Sequence, residues 1–334
     1  MAATTGRHAP DRSVDGKPVE AQRGRDAPQP GAIPGEGWKD IAKRTKAEAK
    51  DDNVALLAAG VAFYALLSLV PALVALVSVY GMVADPADVE RQVSDALAAA
   101  PAEVRDLVEE QLTSITESSS GGLGVTAVLG VALALWSASS GMKHLITAIS
   151  VAYDERETRG FLKLRGTALV LTVGAVAFMV IAIGVITALP AVVADTSLGS
   201  LARGAVSILR WPLLGIGLLL GLAVLYRYGP DRDEPRWAWT APGTVVATVL
   251  WVVASVAFSI YTSNFGSYGE TYGSLGAVVV LMLWLMISAA VVIMGAELNA
   301  ETEHQTAVDT TEGHREPMGE RDAHVADTVG DSPA

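Results

Sequence analysis

From Thr271 to Ala296 the chain runs 26 residues without a charged side chain, and it then meets Glu297. A helix of about 20 apolar residues crosses the roughly 30 Å hydrocarbon layer of a bilayer, so this run is long enough to span with some tilt. It is entered through an aromatic, glycine-rich stretch (YTSNFGSYGETY, 261–272) and left through an acidic end. It is not alone. Asn53–Ala84 holds 32 residues without a charge, and further runs occupy 118–142, 166–194 and 237–269. A shorter run, Trp211–Tyr226, is flanked by Arg210 and Arg227, whose long side chains can snorkel to an interface. Charged residues make up only 18% of the chain and collect in its ends and connectors. A soluble protein scatters charge over every helix, so the pattern predicts an all-α, polytopic membrane protein.

The boundaries follow from the charges. Six transmembrane helices are predicted, at about 54–83, 122–142, 167–194, 205–226, 240–261 and 273–297. Residues 85–118 are acid-rich but carry apolar residues at helical spacing, with Pro86 and Pro101 placed to start two helices. They predict an amphipathic helical hairpin outside the membrane, between the first two spans. Residues 38–52 (WKDIAKRTKAEAKDD) predict a short helix. Either Trp38, Ile41 and Ala42 sit in the interface with the basic residues on anionic headgroups, or the segment is solvated. Residues 1–37 and 301–334 are polar and rich in Pro, Gly and acids, which predicts disordered tails flanking a 38–300 membrane domain.

Lys and Arg set the orientation. Of 24 basic residues, 20 fall in the two ends and the alternate connectors, and only Arg91, Arg105, Arg203 and Arg210 fall on the other side. The positive-inside rule then places both termini in the cytoplasm of a multi-pass protein of the bacterial cytoplasmic membrane.

The chemistry is sparse. The chain has no cysteine, so disulfides, zinc–thiolate sites and thiol nucleophiles are excluded. Four of its five histidines (His8, His304, His314 and His324) lie in the expected tails, and none pairs with another at helical metal-site spacing. There is no phosphate-binding G-x-x-x-x-G-K-[ST] loop and no G-x-S-x-G nucleophile elbow. The expectation is therefore a non-enzyme with no cofactor, no metal and no nucleic-acid partner. Its partners are the bilayer and anionic lipids, with a second copy or an envelope protein as further candidates.

Polar residues in or near spans are costly and so are functional candidates. Tyr64 and Ser68 precede Pro71, which removes a backbone donor and kinks a helix; they line a cavity or simply pack there. Lys143 ends the second span as a gating residue or an ordinary anchor. Arg210 either holds an anionic headgroup or snorkels. Glu297 either bonds a neighbouring helix or binds a coupling proton, or else it is an interfacial carboxylate in water. Tyr261, Phe265, Tyr268 and Tyr272, with Gly273, mark the outer turn and an aromatic belt. Gly217-x-x-x-Gly221 permits close helix approach.

Several segments together resemble one family. They are FYALLSLVP (63–71), LWSAS (135–139), RWPLL (210–214) leading to LYRYGP (225–230), APGT (241–244), and YGSLGA through LWL to GAELNA (272–300). In this order and spacing they look like the YihY/BrkB family of bacterial inner-membrane proteins, over about residues 38–300. The resemblance implies a six-helix membrane protein linked to virulence-related resistance and to envelope lipid export. The family's older label, ribonuclease BN, implies a nuclease, which should show metal ligands and a large basic surface; the sequence has neither. The reading that follows is a translocation factor for an amphipathic, lipid-like, anionic envelope component. The alternative is a structural or scaffold membrane protein that binds envelope partners.

Overall fold

The computed structural model describes residues 23–80, 125–194, 199–264 and 274–331. Among these residues the protein is helical, with no strand. After a short 3-10 turn, Pro30–Ala32, come α1 (Gly35–Asp51), α2 (Val54–Tyr80), α3 (Val125–Ala152), α4 (Phe161–Ala194), α5 (Gly199–Tyr228), α6 (Trp237–Asn264), α7 (Ser274–Glu303) and the short α8 (His324–Asp327).

Five segments are long and apolar enough to cross a membrane: Val54–Leu76, Phe161–Ile186, Ile208–Tyr228, Trp237–Thr262 and Val278–Glu303. Their outward faces carry exposed Leu67, Val170, Ile181, Ile216, Val253 and Ile260, with Val170 71% exposed. Such a belt is intolerable in water but is what a hydrocarbon solvent asks of a helix bundle. The helix α3, 28 residues long, fills the place of the expected second span but falls outside that set of five among the described residues. The expected hairpin 85–118 lies outside the described residues.

The long helices pack in a closed circuit, α2 to α3, α4, α5, α6 and α7, and α7 returns to α2. The helix α7 is the hub, touching α1, α2, α3, α6 and α8. Small residues let the backbones approach: Ala58, Ala148, Ala247, Ala289 and Ala296 are all buried in the central cluster. A Cβ on Gly243 would lie 1.9 Å from the Gly295 carbonyl oxygen, so α6 and α7 touch backbone to backbone there. The Gly217-x-x-x-Gly221 pair divides. Gly217 abuts the Phe178 ring, while Gly221 faces open space. Polar bonds tie the same helices together: Gly141 N–H donates to Ser68 Oγ (3.0 Å), Tyr226 O–H to the Val292 carbonyl (2.8 Å) and Trp251 Nε1–H to Ser288 Oγ (3.1 Å).

One end of the bundle is closed by a folded polar cap, and here several expectations need correction. The described parts of the two tails are ordered and packed on each other. Ala307 N–H donates to the Arg25 carbonyl (2.8 Å), Gln305 Nε2 to Arg23 (2.6 Å) and Thr306 O–H to Ala27 (2.9 Å). Thr302, Gln305, Thr306 and Thr310 are all buried. Low apolar content predicted disorder, but order here comes with hydrogen bonds between the two tails, which composition does not register. Ile41 is buried against Trp239 with Ala27 and Ile33, and Arg44, expected at headgroups, is buried with its guanidinium on Glu301 and on Gln305 Oε1 (2.7 Å). Lys39, Lys43, Lys46 and Lys50 do face outward. The turn into α2 uses Asn53 at φ 53°, a left-handed conformation that Asn tolerates better than most residues.

Candidate functional site

The sequence-derived candidates do not converge on one place. Tyr64, Ser68 and Pro71 lie along α2, which runs unbroken through Pro71. The Tyr64 ring stacks on His144 with centroids 3.5 Å apart, and Ser68 is buried at the contact with Gly141. Lys143 lies inside α3 rather than at its end and is half-buried. Arg210 lies on α5, 18 residues before Tyr228, or about 27 Å along the helix from the capped end at 1.5 Å per residue. Its Nη1 donates weakly to the Ile186 carbonyl (3.4 Å) and its guanidinium sits over Trp211 (5.4 Å). Tyr272 and Gly273 lie outside the described residues.

Glu297 differs most from its sequence reading. It is only 1% exposed, which removes the option of an interfacial carboxylate in water. Among the described residues its Oε1 has no hydrogen-bond partner. It sits on α7 two turns before the helix ends at Glu303, facing the α1–α2 turn.

The described structure holds a second feature, which the sequence alone did not reveal. A cavity of about 590 Å³ lies between the start of α4 and the end of α5, at the capped end. Its membrane-side wall is apolar, with Val170, Leu171 and Val224, while Arg159, Lys163, Thr167, Arg227 and Asp231 line its polar part. The floor is held by the connector 229–236. Asp231 accepts bonds from Thr158 N–H (2.6 Å), Thr158 O–H (2.7 Å) and Arg159 N–H (3.2 Å). Burial pushes the Asp231 carboxyl up, but these bonds and the Arg159 charge outweigh it and hold it below the usual 3.8. Arg159 is clamped by Glu157 (2.7 Å) and the Gly229 carbonyl (2.9 Å). Arg227 is held by Pro235, Glu234 and Glu312, at 2.5, 3.1 and 3.0 Å, and packs over Trp237 (4.7 Å). Lys163 is different: it is exposed at the rim, and among the described residues it has no carboxylate within ion-pair distance. The result is a pocket with an apolar flank open toward the lipid-facing Val170 and an uncommitted ammonium at its mouth. Its size lies within the roughly 300–1,000 Å³ typical of small-ligand sites. Among the described residues no group of three or more His, Asp or Glu is placed to hold a metal.

Residues 45–319 match the family described as "Virulence factor BrkB". The chain belongs to that family. Two of its relatives are named as membrane proteins. A UPF0761 membrane protein of Alteromonas mediterranea is 28% identical over 262 residues, covering 74% of this chain and 82% of the relative. One from Tolumonas auensis is 37% identical over 101 residues, 30% of this chain and 32% of that protein. A relative in Bacillus subtilis, named "Putative ribonuclease-like protein YfkH", is 35% identical over 211 residues, covering 60% of this chain and 73% of its own. No solved structure matches the chain significantly. The family match takes in the end of α1 and all of α2 through α7 and extends to residue 319, so the folded segment after α7 falls mostly inside the family's own boundary, not beyond it. The signals for the cavity were present in the connector RYGPDRDEPR and in Lys163, but what joins them is the packing of α4 on α5.

Proposed function

We propose that this BrkB-family protein is a translocation factor for an amphipathic, anionic envelope component, without an enzymatic step of its own. The observation that carries the reading is the cavity between α4 and α5. An apolar wall continuous with the lipid-facing surface suits an acyl or polyprenyl tail, and the exposed Lys163 ammonium at the rim suits a phosphate or carboxylate headgroup.

The proposed topology has six crossings, with both ends in the cytoplasm. It is supported by the meeting of the two ends. The segments before α2 and after α7 bond to each other in one cap, which requires an even number of crossings, and α3 is the helix available as the sixth. The orientation is supported by the outward lysines of α1 and by Arg156 and Lys163 at the capped end, against Arg210 far along α5.

Binding is testable directly. In native mass spectrometry of the full-length protein, an anionic phospholipid should be retained over a zwitterionic one with the same acyl chains. Lys163→Glu replaces the ammonium at the pocket rim by a negative charge and should weaken retention roughly ten-fold, the equivalent of one charge-assisted contact. An exposed side chain with no structural partner should leave the melting temperature unchanged. Equal retention of both lipids by both proteins would remove the pocket from the account.

A further inference from the structure

We propose that Asp52 and Glu297 form a proton-binding site in which two carboxyl groups share one proton, at the junction of the α1–α2 turn and α7. Asp52 caps the C-terminus of α1, and the left-handed Asn53 that follows turns it back toward the bundle. There its carboxyl comes within hydrogen-bonding reach of the Glu297 carboxyl. Two carboxylates offer only acceptors, so a bond between them requires a proton in place. Glu297 is 99% shielded from solvent, and among the described residues its Oε1 has no hydrogen-bond partner.

The neighbouring charged groups are acidic: Glu48 of α1, Asp154 after α3, and Glu301 one turn further along α7. Arg44, the nearest buried cation of α1, is already spent on Glu301 and Gln305. The buried Tyr153 phenol, also near, is pushed up by its burial and stays neutral. Asp52 itself lies outside the spans. Its burial first, and the Asp154 charge second, raise its carboxyl above the usual 3.8, while the Glu297 bond acts the other way. A raised carboxyl stabilises the fold fully below its ordinary pKa, and that contribution is lost as pH rises through the folded value.

The site has an inner and an outer member. Glu297 is sealed in the bundle, whereas Asp52 is only half-buried and Asp154 is exposed, so protons exchange from the capped end. Loss of the proton leaves two adjacent negative charges across the α1–α7 contact and drives that contact apart. As a coupling device for a chain with no nucleotide-binding loop this rests on the translocation reading; the proton site itself does not.

The test is infrared difference spectroscopy of the full-length protein in detergent, titrated from acid to alkaline pH with no substrate added. The wild type should show a carboxylic acid C=O band, sensitive to deuteration, that persists above the range of ordinary Asp and Glu and then disappears. Glu297→Gln and Asp52→Asn should each abolish it. If Glu297→Gln fails to fold, the wild-type band and Asp52→Asn decide. A wild type without the band, a band that survives Asp52→Asn, or a band displaced by sodium at fixed pH would overturn the proposal, the last in favour of a metal-cation site. A band with the expected behaviour in a protein that moves no lipid would leave the proton site standing and remove only the translocation reading.

Discussion

Arg232→Ala is expected to cost about 3–5 kcal/mol, because it strands a buried carboxylate without its counter-charge. Arg232 and Glu303 both have wholly buried side chains, at 0% exposure, and they meet in a two-pronged pair at 3.1 and 2.7 Å. The Thr310 hydroxyl donates to the same Glu303 oxygen (2.7 Å), and the guanidinium lies over the Tyr153 ring (4.9 Å). Burial opposes the Arg232 charge, but Glu303 more than compensates and keeps it protonated. The pair joins the 229–236 connector, the end of α7 and the folded segment after it, so its loss should loosen the cap as a unit. Thermal unfolding in detergent should show a large drop for Arg232→Ala and for Glu303→Ala. The double variant Arg232→Met/Glu303→Leu removes both charges and should recover most of the loss, since a buried ion pair is often no better than well-packed apolar residues. Single variants that melt like the wild type would show that the cap is not held this way.

Gly295→Leu should be as damaging for a different reason. Even a Cβ at this position would meet the Tyr226 hydroxyl at 2.3 Å, the Ala247 methyl at 2.7 Å and the Gly243 carbonyl oxygen at 3.0 Å. The α6–α7 contact must open. Overpacking alone costs about 1–3 kcal/mol, and loss of the Tyr226–Val292 and Gly243–Asn299 bonds adds about 1 kcal/mol each. Gly243→Ala faces the same contact from the other side and should behave alike. Gly221→Ala provides the contrast: nothing lies within 4 Å of its Cβ position, and Ala favours a helix by about 0.5–1 kcal/mol over Gly. Its melting temperature should hold or rise. If Gly295→Leu and Gly221→Ala melted together, α6 and α7 would not be in backbone contact.

These two sites show what could and could not be read from the chain. The helices were legible because lipid demands long uncharged runs, and those runs stand out against 18% charge. Their ends were less so. The helix α4 begins at Phe161, with Lys163 and Arg165 already in it, because a helix continues past the apolar layer as long as its backbone bonds are made. Glycine spacing flagged Gly217 and Gly221 within one helix. The tightest contact instead joins Gly243 and Gly295 on two helices, and no single-helix motif can report that. The cap was missed altogether. Its residues are polar and look unable to fold, yet Gln305 and Thr306 are buried and bonded to Arg23 and Ala27 near the other end of the chain, and Thr310 and Arg321 are buried on the nearby Glu303 and Ala326. Glu297 was singled out as an acid at the end of a span, but the acid beside it, Asp52, lies at the opposite end of the chain.

The central claim is that the pocket between α4 and α5 serves the movement of an amphipathic anion across the membrane. Its most direct test is a leaflet assay in proteoliposomes of defined composition, with a labelled anionic phospholipid placed in one leaflet. The wild-type protein should speed its appearance in the other leaflet above that in protein-free vesicles, and Lys163→Glu should slow it while remaining folded. A wild-type rate equal to that of protein-free vesicles, with and without an imposed proton gradient, would contradict it.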